Sequence, residues 1–315
     1  MSTSYLRLNP LPFSSLPPHP SLNNNRQERG QEDSLGLKQF LTSIFSEATA
    51  LISSTTNPQT QTFKPDRKPR SSAPSTAKVQ LLTSSSSSSG SSNDYWVCRK
   101  SIHADKAQKG SASWAEFEHG LRENHSENEM DYTPSVASVE HLVQWPVIDS
   151  LEEWKGVDMH AALISPRTFI SLVISAYEPA ATADAAASPD NNSNETPLQG
   201  FYTIQIPLLF KKESRDNLLP ESLRSKITSA VPKNTIFAHY ASVERVRLLP
   251  AASTTTGESS GSGQRIEWIM ATTSDAGGLI PQWVQRSWTM GGVPKAVVAD
   301  VGLFLGWVER KRSDS

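Results

Sequence analysis

Three ionisable residues stand inside apolar, strand-like segments of this sequence: Arg99, Arg245 and Glu267. A charge in the middle of a strand, next to tryptophan and isoleucine, is costly if it is buried without a partner. Paired with an opposite charge, these residues could form the polar floor of a binding site. The competing interpretation is that they face solvent or form a structural ion pair on the outer side of a sheet.

Two patterns resemble catalytic motifs but lack the context that the chemistry needs. Residues 257–261 match G-x-S-x-G, yet they lie in a Ser/Thr/Gly loop and not between a strand and a helix, as a serine nucleophile requires. His119, His125 and Glu129 lack the H-E-x-x-H spacing of a zinc site. Cys98 is the single cysteine, which excludes a multi-cysteine metal site. We predict no catalytic set, no metal and no cofactor.

The composition bounds the class of protein. The chain has 315 residues, which is long enough for one large domain or two ordinary ones. Its hydrophobic share of 37% is low for a chain packed throughout and predicts that part of it is disordered. A net charge of -2 disfavours a nucleic-acid binder. No apolar run reaches the roughly 18 residues of a membrane-spanning helix, and no apolar signal segment stands at the N-terminus. These observations favour a cytoplasmic protein.

The composition also divides the chain. Residues 1–93 are rich in Pro and Ser, and all eight tryptophans follow them. Because aromatic side chains dominate cores, we predict a mostly disordered region over 1–93, a folded domain over 94–310 and a tail over 311–315. Within the first region, apolar residues at helical spacing predict an amphipathic helix over 34–53. This helix would dock on its own domain or on a protein partner, since Lys38 alone is too little for a membrane-surface helix.

The sequence of the predicted domain indicates both strands and helices. Strands are predicted at residues 95–103, 167–177, 201–210, 236–249 and 265–274, the last two forming a hairpin. Helices are predicted at 113–123, in one or two short pieces within 139–154, and over 281–310. Gly291 and Gly292 interrupt the last helix, and Pro294 suits the start of its second part.

Several pieces, taken in order, resemble one family. They are residues 99–103, 125–134, 165–169, 204–207, 240–245, 266–271, 274–283 and 293–307. The set resembles a fungal family of unknown function (domain of unknown function 3074) that is assigned to the START (steroidogenic acute regulatory-related lipid transfer) superfamily. The resemblance covers about residues 94–310 and reaches the helix at 34–53.

The resemblance implies an α+β, START-like helix-grip fold with a largely disordered N-terminal extension. In this fold, a curved antiparallel β-sheet wraps around a long C-terminal helix and leaves an apolar cavity, which holds a lipid in START relatives. The polar groups of that cavity would be Arg99, Arg245 and Glu267. Its walls would be Tyr202, Ile204, Trp268, Met270, Trp283, Val301, Leu305 and Trp307. At about 0.8 kcal/mol per buried methylene, apolar walls suffice for useful affinity.

The expected function is therefore binding of a lipid or other hydrophobic small molecule, with transient membrane contact and no nucleic acid. The alternative is a ligand-free START-like interaction or scaffold module that recruits a protein partner through its N-terminal region. A cavity plugged by Trp268, Trp283 or Trp307 would favour that alternative. An enzyme is the third reading, and converging ionisable groups with shifted pKa values would favour it. Ligand entry would need a hinge, for which Gly291–Gly292 is the candidate.

Overall fold

The structure is a computed structural model of the chain. It describes residues 4–22, 30–56, 59, 62–84, 94–165, 168–179, 199–210, 219–231, 235–249, 263–278 and 280–314. Residues 180–198, between the predicted strands at 167–177 and 201–210, and the G-x-S-x-G pattern at 257–261 lie outside the described residues.

One large, curved and unclosed sheet forms the centre of the fold, and it is antiparallel except where β1 joins it. Its strands are β1 (Leu11–Pro12), β2 (Phe63–Pro65), β3 (Arg70–Ser71), β4 (Lys78–Ser84), β5 (Val97–Ala104), β6 (Ser138–Gln144), β7 (Ile148–Leu151), β8 (Trp154–Ser165), β9 (Phe169–Tyr177), β10 (Gly200–Leu209), β11 (His239–Leu249) and β12 (Arg265–Asp275). The order along the sheet is β2-β4-β5-β12-β11-β10-β9-β8-β6, while β1 pairs with β10, β3 with β4 and β7 with β8.

Helices cover both faces of this sheet. They are α1 (Gly30–Thr56), α2 (Trp114–Leu121), α3 (His125–Tyr132), α4 (Glu221–Ala230), α5 (Gln282–Gln285) and α6 (Val293–Asp314). Helices α1 and α4 share one apolar core with the sheet, and α2, α3 and α6 share the other. We name the two sides the α1 face and the α6 face. The result is a mixed α+β fold, as predicted.

Helix α1 docks on its own domain, which decides between the two alternatives that its amphipathic pattern left open. Its apolar residues at helical spacing are buried against the sheet: Phe40, Leu41, Ile44, Phe45, Ala48 and Ile52. Phe45 stacks on Trp154 with ring centroids 4.1 Å apart. The Glu47 carboxylate accepts hydrogen bonds from the backbone N–H groups of Tyr5 and Leu6. The helix and the leading segment are therefore held together.

The folded unit includes residues that the sequence assigned to the N-terminal extension. Strand β4 pairs with β5, so it continues the sheet before residue 94. Leu11 and Pro12 pair in parallel with the end of β10. Residues 78–84 carry no aromatic side chain, which is why a domain boundary drawn from aromatic residues placed them outside.

The predicted elements from residue 95 onward are mostly present. Strands β5, β9, β10, β11 and β12 lie where they were predicted, and β11 and β12 pair as neighbours. Ser113 caps α2 with a capping box, because its side chain accepts from the Glu116 N–H and the Glu116 carboxylate accepts from the Ser113 N–H. The C-terminal helix is divided into α5 and α6 around Gly291–Gly292, as predicted.

The prediction of short helices within 139–154 is wrong. This segment forms strands β6 and β7, which both pair with β8. Over such short stretches, its Val, Ile and Leu residues fit the helical period as well as the strand period. The segment forms strands because it pairs with β8, a strand that the sequence did not predict. Among the described residues, no helix is long and apolar enough to cross a membrane.

Candidate functional site

A small polar cavity lies on the α6 face, between four strands and the helices α3 and α6. Its volume is about 40 Å³. Its lining residues are Arg99, His125, Glu129, Tyr132, Thr133, Thr203, Gln205, Tyr240, Ser242, Glu244, Trp268, Met270 and Asp300. This volume accommodates a few water molecules or one small polar group, but not a whole lipid.

Arg99 is the most deeply buried charge of the cavity, with 1% of the residue exposed. It lies on β5, where side chains alternate between the two faces. Its Nη2 donates to Glu244 Oε1 over 3.0 Å, and its guanidinium carbon lies 3.9 Å from the centre of the Trp268 ring. Trp268 Nε1 donates to the same Glu244 oxygen over 2.6 Å. One carboxylate thus holds both the cation and the aromatic ring beneath it.

The Arg99 guanidinium is only partly satisfied. Its Nε and Nη1 are buried and have no hydrogen-bond partner among the described residues. An unsatisfied donor in a buried site is unfavourable by about 1–3 kcal/mol, and more for a charged group. These two nitrogens therefore require a water molecule or a polar ligand group.

Two further carboxyl groups stand at the rim of the cavity. Glu129, on α3, and Asp300, on α6, are both partly exposed. Burial raises the pKa of Glu129, which the neighbouring His125 lowers in part. Burial raises the pKa of Asp300 to about 7, against an opposing effect of Arg99. At neutral pH, the rim can therefore donate as well as accept hydrogen bonds.

His125 links α3 to the floor of the cavity. Its Nδ1 donates to the Leu121 carbonyl over 2.9 Å, and Gln205 Nε2 donates to its Nε2 over 3.1 Å. The same Nε2 lies 3.7 Å from Glu129 Oε2. Helix α3 can begin this close to α2 because Asn124 adopts a left-handed conformation, with φ 46°, which asparagine tolerates better than most residues.

Two tyrosines complete the walls of the cavity. Burial and the neighbouring Glu129 raise the pKa of Tyr132 well above its usual range, and burial raises the pKa of Tyr240 as well. Both phenols therefore stay protonated at physiological pH, where they offer hydroxyl groups and aromatic surface.

Three of the predicted site residues line this cavity: Arg99, Trp268 and Met270. Val301, Leu305 and Trp307 lie nearby in the apolar core of the α6 face. They pack with Phe117, Phe304 and Trp268, so the apolar half of the space between sheet and helix is filled by side chains.

The structure does not bring the other predicted residues to the cavity. Tyr202 and Ile204 lie in the core of the α1 face. Arg245 and Glu267 are also on that face, where Arg245 pairs with Glu267 over 2.9 Å. The physical reason is the strand period of two: Glu267 and Trp268 are neighbours in β12 and must point to opposite faces. Trp283 is 64% exposed.

The pair on the α1 face is part of a larger ion cluster. Arg247 and Lys100 also contact the Glu267 carboxylate, at 2.8 and 2.5 Å. Burial raises the pKa of Glu267, but the hydrogen bond from Lys100 and the charges of Arg247 and Arg245 outweigh it, so the pKa is lowered. This is the structural ion pair that the sequence allowed as a competing interpretation.

Several residues of the cavity were not predicted, although some carried a signal. Thr203 and Gln205 are polar residues between the apolar residues of β10, and both are buried. Asp300 interrupts the apolar face of a helix. Glu244 gave no signal of its own, because only the register of β11 with β12 places it beside Trp268 and Arg99.

A serine, a histidine and an aspartate also come together behind α3. Ser126 Oγ lies 3.2 Å from His160 Nε2, and His160 Nδ1 lies 4.0 Å from Asp158 Oδ2. The second distance is too long for a hydrogen bond, Ser126 is buried, and burial lowers the pKa of His160 to about 4. This arrangement is that of a buried structural network. Within the described residues, no group of three His, Cys, Asp or Glu side chains is placed to hold a metal ion.

A comparison with protein families gives one match. Residues 96–308 match a family described as a protein of unknown function, DUF3074. The chain belongs to this family. The DUF3074 match begins just before β5 and ends in α6, so it contains every residue that lines the polar cavity. A search of curated proteins found no match.

Proposed function

We propose that this protein binds an amphipathic small molecule, a lipid or a molecule of similar character, whose polar end occupies the cavity around Arg99. The observation that carries the proposal is the incomplete satisfaction of the Arg99 guanidinium at a site that is almost fully buried. Buried polar groups are nearly always paired with protein, water or a ligand. Two of the three guanidinium nitrogens of Arg99 lack such a partner among the described residues, against only Nε in Arg245. The helix-grip architecture and the START relationship implied by the sequence are part of this proposal.

The size of the cavity limits what binds in the conformation described. About 40 Å³ admits the polar end of a ligand, so the apolar part requires α6 to move away from the sheet. The segment that links α5 to α6 is suited to such a movement. Gly291 in this link has φ 78°, and a Cβ built on it would have no atom within 4 Å. Gly292 is different: a Cβ there would stand 2.2 Å from the Gln285 carbonyl oxygen, so alanine at this position would distort the link.

A ligand-free interaction module is the second candidate. It is favoured by the filling of the apolar half of the space by Trp268 and Trp307, two of the residues that the sequence named as plugs. The converging carboxyl groups Glu129 and Asp300, with raised pKa values, meet the condition named above for an enzyme. We nevertheless propose no catalytic activity, because the ionisable groups of the cavity surround a guanidinium and include no paired nucleophile and base. The cytoplasmic location stays a prediction.

The test is native mass spectrometry of the full chain purified from a eukaryotic host, followed by extraction and identification of any bound molecule. We expect one amphipathic molecule per chain. Arg99→Lys keeps the charge but loses the planar fork of donors, and we expect it to reduce occupancy about ten-fold or more. Arg265→Lys, at an exposed position of β12, is the matched control.

The outcomes separate the two candidates. A wild-type protein that stays free of ligand after incubation with vesicles of sterols and phospholipids would support the interaction module. Full occupancy in a folded Arg99→Lys variant would place the ligand elsewhere and overturn the assignment of the site.

A further inference from the structure

We infer that the corner of the molecule around α5 docks on an anionic membrane surface. This corner, which we call the α5 corner, consists of residues 276–278 and 280–295 together with Ile236 and residues 66–70. The inference stands apart from the proposed ligand, because it uses none of the residues of the polar cavity.

Exposed apolar side chains are concentrated at the α5 corner. Trp283 is 64% exposed, Met290 56% and Ile236 47%. Among the described residues, five large apolar side chains are exposed, and the other two are Val147 and Ile102. Three of the five thus belong to one corner, and exposed apolar groups that cluster mark interaction sites.

Hydrogen bonds and close backbone contacts make the corner one fixed surface. The Gln285 side chain accepts from the Ala276 N–H over 2.8 Å and donates to the Ile280 carbonyl over 3.0 Å. Gly292 approaches the Gln285 carbonyl so closely that no side chain would fit. Ile236 lies against Gly277 and Gly278. The exposure of Trp283 and Met290 is therefore a property of a folded segment.

The charges of the corner are predominantly basic. The Arg70 guanidinium lies 4.5 Å above the Trp288 ring, which brings the segment 66–70 beside the apolar residues. Arg67, Lys68, Arg286 and Lys295 are exposed. The acidic groups present are engaged: Asp66 pairs with Arg70, Asp94 accepts from the Leu8 N–H, and Asp275 accepts from the Gly277 N–H. The corner is locally positive although the whole chain has a net charge of -2.

An anionic membrane surface matches this combination better than a protein surface does. Tryptophan is favoured at the membrane–water interface, where its ring lies at the level of the headgroups. Each Lys or Arg near an anionic leaflet strengthens binding about five-fold. Exposed apolar and exposed basic side chains in one corner allow both contributions at once.

The test is co-sedimentation of the full chain with vesicles of phosphatidylcholine alone and with vesicles that also contain phosphatidylserine. We expect binding to the second kind, with little binding to the first. We expect Arg67→Gln and Lys68→Gln each to weaken it about five-fold, and Trp283→Ala to weaken it as well. At about 1 M salt, where the Debye length is about 3 Å, binding should be lost.

Matched controls lie elsewhere on the surface. Val147→Ala removes an exposed apolar side chain, and Lys155→Gln an exposed charge, at the opposite edge of the sheet; both should bind as the wild type does. Wild-type protein that binds neither kind of vesicle, or binds both equally, would overturn the inference. So would unchanged binding by the Trp283→Ala variant, or a wild-type dimer in sedimentation velocity that this substitution converts to a monomer.

Discussion

At the scale of single residues, the polar cavity is organised around one carboxylate. Glu244 Oε1 accepts from both Arg99 and Trp268, so it fixes the guanidinium over the ring. Cation–π contact adds to this arrangement where water is excluded. Two nitrogens of Arg99, Nε and Nη1, stay buried without partners among the described residues, whereas in the Arg245–Glu267 pair only Nε of the guanidinium does.

Asp300 gives a prediction for pH dependence. Its pKa is raised to about 7 in the folded protein, from about 3.9 in an unfolded chain. Between these values the folded state holds the proton more tightly, so the free energy of unfolding should fall as pH rises from about 4 to about 7 and level off above.

The Asp300→Asn substitution tests this directly. We expect the variant to unfold at a temperature about 2–4 °C higher than the wild type at pH 8, because partial exposure limits the gain to about 1 kcal/mol. The difference should vanish below about pH 3, where Asp300 is protonated in both states. Thermal denaturation across this pH range is the measurement, and a difference that does not depend on pH would contradict it.

At the scale of elements, helix α6 is held from two sides. One side faces the sheet, and the other contacts the segment that joins β3 to β4. The Gly302 N–H donates to Ser72 Oγ over 2.9 Å, and a Cβ at this glycine would stand 2.2 Å from the Ala73 carbonyl oxygen. Gly302 is therefore a place of close backbone packing between α6 and this segment.

Two glycines of α6 should respond in opposite ways to alanine. Gly302→Ala should destabilise the protein by about 1–3 kcal/mol, because backbone must move to make room. In Gly306→Ala, the new Cβ would lie 3.6 Å from its nearest atom, which is an ordinary contact. This substitution should stabilise the protein by up to about 1 kcal/mol through the higher helix propensity of alanine. Urea denaturation with an unchanged m-value is the measurement. Equal effects of the two substitutions would show that the close approach of Ala73 does not constrain the helix.

The sequence was informative about elements whose pattern is long and regular. Strand β10 alternates cleanly, and α2 has Ser113 as an N-cap before an apolar stripe, so both were predicted close to where they lie. Strands β6, β7 and β8 were not predicted, because short runs of Val, Leu and Ile become strands only through their pairing. The residues of the polar cavity show the same limit of prediction from the sequence. Arg99, Trp268 and Met270 were found, whereas Glu244 and Asp300 depend on which elements become neighbours.

At the scale of the whole molecule, the sheet is one middle layer between two helical layers. The α1 layer is contributed largely by residues before 94, outside the DUF3074 match. Phe45 lies in this layer and stacks on Trp154. The family domain and its N-terminal helix thus share one core, and we expect them to unfold together.

A substitution in α1 tests this coupling. Phe45→Ala should lower the stability of the entire chain by about 3–5 kcal/mol, because it opens a cavity between α1 and the sheet. Ser46→Ala, at the adjacent exposed position, should have little effect. Tryptophan fluorescence during denaturation reports on the domain, since no tryptophan lies in α1. A midpoint that Phe45→Ala leaves unchanged would mean that α1 is a separate appendage.

The order of strands in the sheet also determines when the protein can finish folding during synthesis. Strand β5 lies between β4 and β12, and β1 pairs with β10, nearly two hundred residues further along the chain. At about 5–20 residues per second, the ribosome takes roughly 10–40 s to supply that partner. Until β10, β11 and β12 have followed, the apolar side chains of α1 lack part of the sheet that covers them, and one edge of β5 lacks its partner strand. The nascent chain therefore has an extended need for chaperone protection, which ends only when β12 and α6 emerge.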